Sequence, residues 1–165
     1  MNQNADQFSI IGPILALDLG QKLVGAAISD ERLVTTRRLP PLKRANWKRL
    51  LQDIRLLVES FDAQTIVVGL PLRLDGTDGD AAKEARRVAT NLARSVAQPV
   101  YLQDERLTSF DASLNLRDEG MKADEIPALI DSEAAAVILN DFLDPKQQRV
   151  LVKPSETVDQ DTTQE

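Results

Sequence analysis

A chain of 165 residues, 42% apolar and 28% charged, has the size and balance of one globular domain with a proper core. It contains no Cys and no His, which excludes disulfides, thiolate nucleophiles, zinc held by Cys or His, and imidazole-based triads. The net charge of −6 argues against a general nucleic-acid coat, and no apolar run reaches the roughly 18–20 residues of a membrane span.

Residues 1–12 are polar and read as a flexible start. Met1 to Ser9 carries no positive charge ahead of an apolar segment, unlike a secretory signal, so the expected location is cytoplasmic. Ile14–Leu19 reads as a buried strand that ends on Asp18 and is followed by Gly20. A second strand, Leu23–Ser29, contains Gly25, a sign of close backbone approach. A third, Leu33–Leu39, is expected to stop at Pro40-Pro41, completing an antiparallel meander.

Asn46 can cap a helix over 46–61, whose apolar face is Trp47, Leu51, Ile54, Val58 and Phe61. Thr65–Leu70 is continuous and β-branched, as in a parallel strand buried on both faces. The polar loop 72–80 holds Asp75-Gly76-Thr77-Asp78-Gly79-Asp80, which lacks the terminal Glu of a calcium loop. A second helix is expected over Asp80–Val96 and a fifth strand over Val100–Glu105. A third helix runs from Thr108 or Ser109 to Gly120, and a fourth from Ile130 to Leu143 with Pro127 ahead of it. Val150–Val152 can add an edge contact, and the acidic remainder reads as a flexible tail. The expected organisation is therefore a flexible 1–12, a folded domain over 13–145 and a flexible acidic 146–165. Three meander strands followed by right-handed crossovers give an α/β fold: a mixed five-stranded sheet, order 3-2-1-4-5 in chain numbering, with helices on both faces.

With His and Cys absent, hydrolysis must use carboxylates, Lys, Ser/Thr or a metal held by oxygen, which favours Mg²⁺, Mn²⁺ or Ca²⁺. Three acids occupy positions where the pattern calls for an apolar residue or a sheet rim. Asp18 ends one buried strand and Asp104-Glu105 ends another. Asp131 lies at i to Ala134, Ala135, Ile138 and Phe142 at i+3, i+4, i+7 and i+11, on the expected core face of the last helix. Each has a structural reading: Asp18 in a turn, Asp131 as an N-cap, and one of the adjacent pair in a surface ion pair. Together they could hold one or two divalent ions for phosphodiester cleavage. Lys22, Arg106 and Thr108 stand beside them as candidate phosphate ligands. The segment with Arg37, Arg38, Lys43, Arg44, Lys48, Arg49 and Arg55 is locally basic, and of these Arg44, Lys48 and Arg55, beside the apolar face of the first helix, form either a solvated face or a phosphate-facing one.

Four motifs in order carry a resemblance: Asp18-x-Gly-x-Lys-x-x-Gly-x-Ala, Val67-Val68-Gly69-Leu70-Pro71-Leu72 with Asp75-Gly76-Thr77, Asp104-Glu105-Arg106-Leu107-Thr108, and Ile130-Asp131-Ser132-x-Ala-Ala. Over 14–143 the chain resembles the YqgF/RuvX family, assigned to Holliday-junction resolution and to pre-16S rRNA maturation. The resemblance implies an RNase H-like fold and a cytoplasmic nuclease using Mg²⁺ or Mn²⁺. Its acids fall on Asp18, on Glu105 in preference to Asp104, and on Asp131. Pre-rRNA, within a ribosomal precursor, is the expected substrate ahead of a DNA junction. The chain departs from the family at Thr108-Ser109, often Thr-Thr, and between Met121 and Leu129, often Lys-rich. A non-catalytic RNA- or ribosome-docking module is a second reading, and an actin-like ATPase, which needs a duplicate domain, a third.

One geometric difficulty follows from the strand order. If the fourth strand separates those of Asp18 and Glu105, they stand about 9–10 Å apart, two strand spacings. Contact requires both side chains to reach over the fourth strand, where Gly69 would leave room.

Overall fold

The computed structural model describes residues 10–105, 126–145, 147 and 149–153, with 126–131 described as backbone alone. Strands β1 (Ile14–Leu19), β2 (Leu23–Ser29) and β3 (Thr36–Lys43) precede helix α1 (Trp47–Ser60). Then come β4 (Thr65–Leu70), α2 (Asp80–Ser95), β5 (Val100–Asp104), α3 (Ile126–Leu143) and β6 (Val150–Val152). They form one mixed sheet of order β3-β2-β1-β4-β5-β6. β1 pairs antiparallel with β2 and parallel with β4, so the first strand is central, as expected. The expected five-strand order holds, and a sixth strand is added because β6 pairs antiparallel with β5, where only an edge contact was anticipated.

Period-two alternation divides β1, β4 and β5 between two cores. Leu15, Leu17, Ile66, Val68 and Leu102 face α1 and α2, packing on Leu50, Ile54, Val58, Ala82, Ala85, Ala89 and Leu92. Ile14, Ala16, Val67 and Tyr101 face α3, against Ala135, Ile138, Leu139 and Phe142. Asn46 caps α1 as expected, its side chain accepting from the Arg49 N–H at 2.9 Å. The buried stripe of α1 is set by Leu50 rather than Leu51.

Three expectations are corrected. β3 does not stop at Pro40-Pro41 but runs through them to Lys43. The register steps from Ala26↔Leu39 to Val24↔Leu42, so both prolines lie opposite the single residue Gly25. Such a bulge on an edge strand has no use for the N–H groups that proline lacks. Helix α3 begins at Ile126 rather than Ile130, because Pro127 falls in its first turn, where a missing N–H costs nothing. Nor is α3 one-sided: residues 132–139 are all buried, with Ala134 and Val137 forming a small cluster apart from the sheet-facing residues. The helix expected over 108–120 lies outside the described residues.

Candidate active site

The site is built from one cross-strand row. Asp18 pairs with Gly25 of β2. One residue beyond the pair Leu17↔Val68, the row continues to Gly69, which pairs with Gln103 of β5. Asp18 is two residues from Ala16, Gly69 two from Val67 and Gln103 two from Tyr101, so the row lies on the face that α3 covers. Asp18 is thus flanked on both sides by glycine, and the rim of the sheet is open around its carboxylate.

Glu105 follows the end of β5, its N–H donating to the Leu70 carbonyl at 3.1 Å and extending the ladder. It shares the face of Gln103. Its side chain turns back over β4 to reach Asp18, and a hydrogen bond joins the two carboxyl groups. The room comes from Gly69: a β-carbon placed there would lie 2.2 Å from Glu105 Oε2 and 2.5 Å from Ile138 Cδ1. Two strand spacings are therefore crossed through the volume that residue 69 leaves empty.

This contact sets the electrostatics. Burial first, then the Asp18 charge and hydrogen bond, and then the Asp104 charge push the Glu105 carboxyl up to about 10. At neutral pH the Asp18–Glu105 pair holds one proton and one negative charge. Glu105 Oε2 is buried and has no hydrogen-bond partner among the described residues, a costly condition for a carboxyl oxygen. A hard divalent cation would relieve both the repulsion and the orphaned oxygen, and all-oxygen donors suit Mg²⁺ or Mn²⁺. The residues present fit such an ion.

Asp131 belongs to α3 by its backbone, one turn before Ala135 and two before Ile138, the residue packed over Gly69. Its side chain, like Arg106 and Thr108, lies outside the described residues. Among the described residues, no third acid joins Asp18 and Glu105 in a metal-sized group. Lys22 is exposed in the turn after β1, four residues from Asp18. That turn is tied down by Arg44, whose N–H donates to the Lys22 carbonyl at 2.9 Å and whose guanidinium donates to the Gly20 carbonyl at 3.1 Å. The Asp75–Asp80 loop is held locally: Asp75 accepts from the Thr77 N–H at 2.9 Å, and Asp78 pairs with Arg86 of α2.

Sequence reasoning missed two supporting features. Glu133, only 6% exposed, forms an ion pair with Arg38 of β3 at 2.8 Å, and Ser132 Oγ donates to the Leu39 carbonyl at 2.7 Å. Together they fasten α3, immediately after Asp131, to the edge strand. Gln103 is 1% exposed with its Oε1 unpartnered among the described residues. A buried charge and a buried amide in otherwise apolar positions of α3 and β5 were the available signals.

Comparison with known proteins shows what the chain is similar to. Residues 12–145 match the family model described as "RuvX: Holliday junction resolvase". A protein of Anaeromyxobacter sp. (strain Fw109-5) is 42% identical over 130 residues, 79% of this chain and 95% of its own. One from Koribacter versatilis (strain Ellin345) is 38% identical over 136 residues, 82% of this chain and 89% of its own. Both are provisionally named pre-16S rRNA nucleases. Among solved structures, T. thermophilus RuvC in complex with a Holliday junction substrate aligns with a TM-score of 0.53 at 15% identity, covering 84% of this chain and 98% of that one. That likeness establishes the fold as RNase H-like.

Proposed function

The chain belongs to the RuvX family, and from that premise we propose that it is a divalent-metal-dependent nuclease that processes the 5′ end of pre-16S rRNA in the cytoplasm. The observation that carries this reading is the half-buried Asp18–Glu105 pair over Gly69, a carboxylate site with one buried, orphaned oxygen at the rim of an RNase H-like sheet. Asp18 and Glu105 would hold the ion, with Asp131, one turn before Ala135 on α3, as the third ligand. Bound there, Mg²⁺ or Mn²⁺ supplies activation of water and stabilisation of the leaving oxygen in phosphodiester hydrolysis.

The rest is the work of the chain's own residues. The Asp18–Glu105 pair keeps a proton on the raised Glu105 carboxyl, which would have to leave for both acids to serve as ligands. Ile138 of α3 packs over Gly69 and bounds the site on that side. Lys22 meets a substrate phosphate beside Asp18, with its turn held by Arg44. Arg106 and Thr108, directly after Glu105, contribute further phosphate contacts.

The description of the matching family supports a second reading, cleavage of four-way DNA junctions. A direct comparison separates the two. Cleavage of a pre-16S rRNA fragment in Mn²⁺, abolished by EDTA and at least tenfold faster than junction cleavage, is the expected result. The reverse preference replaces RNA by DNA as substrate. Binding of the rRNA fragment without cleavage would leave a non-catalytic docking module.

A further inference from the structure

The basic segment between Arg37 and Arg55 separates into spent and unspent charges. Arg37 lies over the Phe61 ring at 5.2 Å. Arg38 pairs with Glu133, Arg44 with Glu84 and Arg49 with Asp53. Arg55 donates to the Ser95 carbonyl. Lys43 and Lys48 are different: both are exposed, and neither side chain has an ion-pair or hydrogen-bond partner among the described residues. Lys22 shares that condition.

These lysines follow one another along the rim that carries the carboxylates. Lys43 pairs in register with Leu23, and the next residue, Arg44, bonds to the Lys22 carbonyl, so Lys22 and Lys43 stand at adjoining ends of the β2–β3 ladder. Lys48 is in the first turn of α1, which contains no acid. A helix start of this kind favours phosphate through its unpaired N–H groups and dipole. The other side of the rim, after β4, offers no such row of unpaired bases: Arg73 and Lys83 stand among Asp75, Asp78 and Asp80, and Arg86 is paired with Asp78.

We infer that Lys22, Lys43 and Lys48 form a phosphate track that leads the nucleic-acid strand from the carboxylates, across the β2–β3 edge, to the start of α1. The inference rests on the nuclease reading and adds a direction to it: the strand leaves the site on the β3 side, not over the loop after β4. Lysines at the end of an edge strand also blunt edge-to-edge pairing, and the test distinguishes that role from binding.

Binding of a labelled pre-16S rRNA fragment is measured by fluorescence anisotropy over a range of salt, with Asp18→Asn as the non-cleaving parent. Lys43→Glu/Lys48→Glu is added to that parent. In parallel, Lys153→Glu makes a charge change of the same sign and half the size at the opposite end of the sheet, beside the β6 residue that pairs with the start of β5. The track requires at least tenfold weaker binding in the Lys43/Lys48 variant and a salt slope shallower by about 1.5, two phosphate contacts. Lys153→Glu should stay within twofold of the parent. Equal binding by both variants overturns the track; if wild type still cleaves the fragment, the nuclease reading survives it. An edge-blunting role alone gives that same equal binding, with self-association on gel filtration. A parent that does not bind, together with a wild type that does not cleave, removes both.

Discussion

The carboxyl of Glu105 occupies the space that a side chain at residue 69 would fill: a β-carbon on Gly69 would stand 2.2 Å from Glu105 Oε2. That vacancy lets two acids on strands separated by β4 meet and share a proton.

Gly69→Ala should therefore fold and yet lose its metal. The atoms that a new methyl group meets, Glu105 Oε2 and Ile138 Cδ1, are ends of flexible side chains that can move aside. Moving Glu105 aside separates it from Asp18. Calorimetric titration with Mn²⁺ should show at least a tenfold weaker Kd with the circular dichroism spectrum retained, and Gly69→Val should do worse. Wild-type affinity in both variants would contradict the crossing geometry.

The raised Glu105 carboxyl makes the metal-free protein sensitive to pH in a stated direction. Its value is about 10 in the folded chain against an ordinary 4.5. Folding therefore favours the protonated form. The associated stabilisation is complete below about pH 4.5 and falls as pH rises toward 10. Glu105→Gln keeps the neutral form at every pH. In EDTA, its Tm should exceed that of wild type by a margin that widens from pH 5 to pH 9. Parallel Tm curves would show that Glu105 is ionised without strain.

Metal binding must then expel the shared proton. Mn²⁺ titrations at pH 8 in Tris and in HEPES should differ in apparent enthalpy by an amount equivalent to about one proton released per chain. The difference should vanish in Glu105→Gln. Buffer-independent enthalpies for wild type would mean that the acids are already ionised before the ion arrives.

Arg38→Met leaves the buried Glu133 carboxylate without its guanidinium. Removing one partner of a fully buried pair costs about 3–5 kcal/mol. Arg38 is 30% exposed, which lowers the expected loss to about 2 kcal/mol in urea denaturation. Arg38→Met/Glu133→Leu should recover most of it. A single variant as stable as wild type would show that the pair does not fasten α3.

The order of β3-β2-β1-β4-β5 was legible because short turns force antiparallel neighbours and helical crossovers force parallel ones. The need for Gly69 was legible as well, from nothing more than the strand spacing. The course of β3 was not: Pro40-Pro41 reads as a stop until the bulge against Gly25 shows that neither N–H is required. The start of α3 was missed for a related reason, since Pro127 can precede a helix or open one. Glu133 went unnoticed because its partner Arg38 lies 95 residues away on another element. Local periodicity carries no record of such pairings.

The central claim is that Asp18 and Glu105 form a metal site that cleaves phosphodiesters. Its most direct test is Mn²⁺-dependent cleavage of a 5′-labelled pre-16S rRNA fragment by wild type and by Asp18→Asn, at equal circular dichroism and Tm measured in EDTA. The account predicts product from wild type only in the presence of the ion, and at least a thousandfold less from Asp18→Asn. Undiminished cleavage by Asp18→Asn, or equal cleavage by wild type in EDTA, would contradict it.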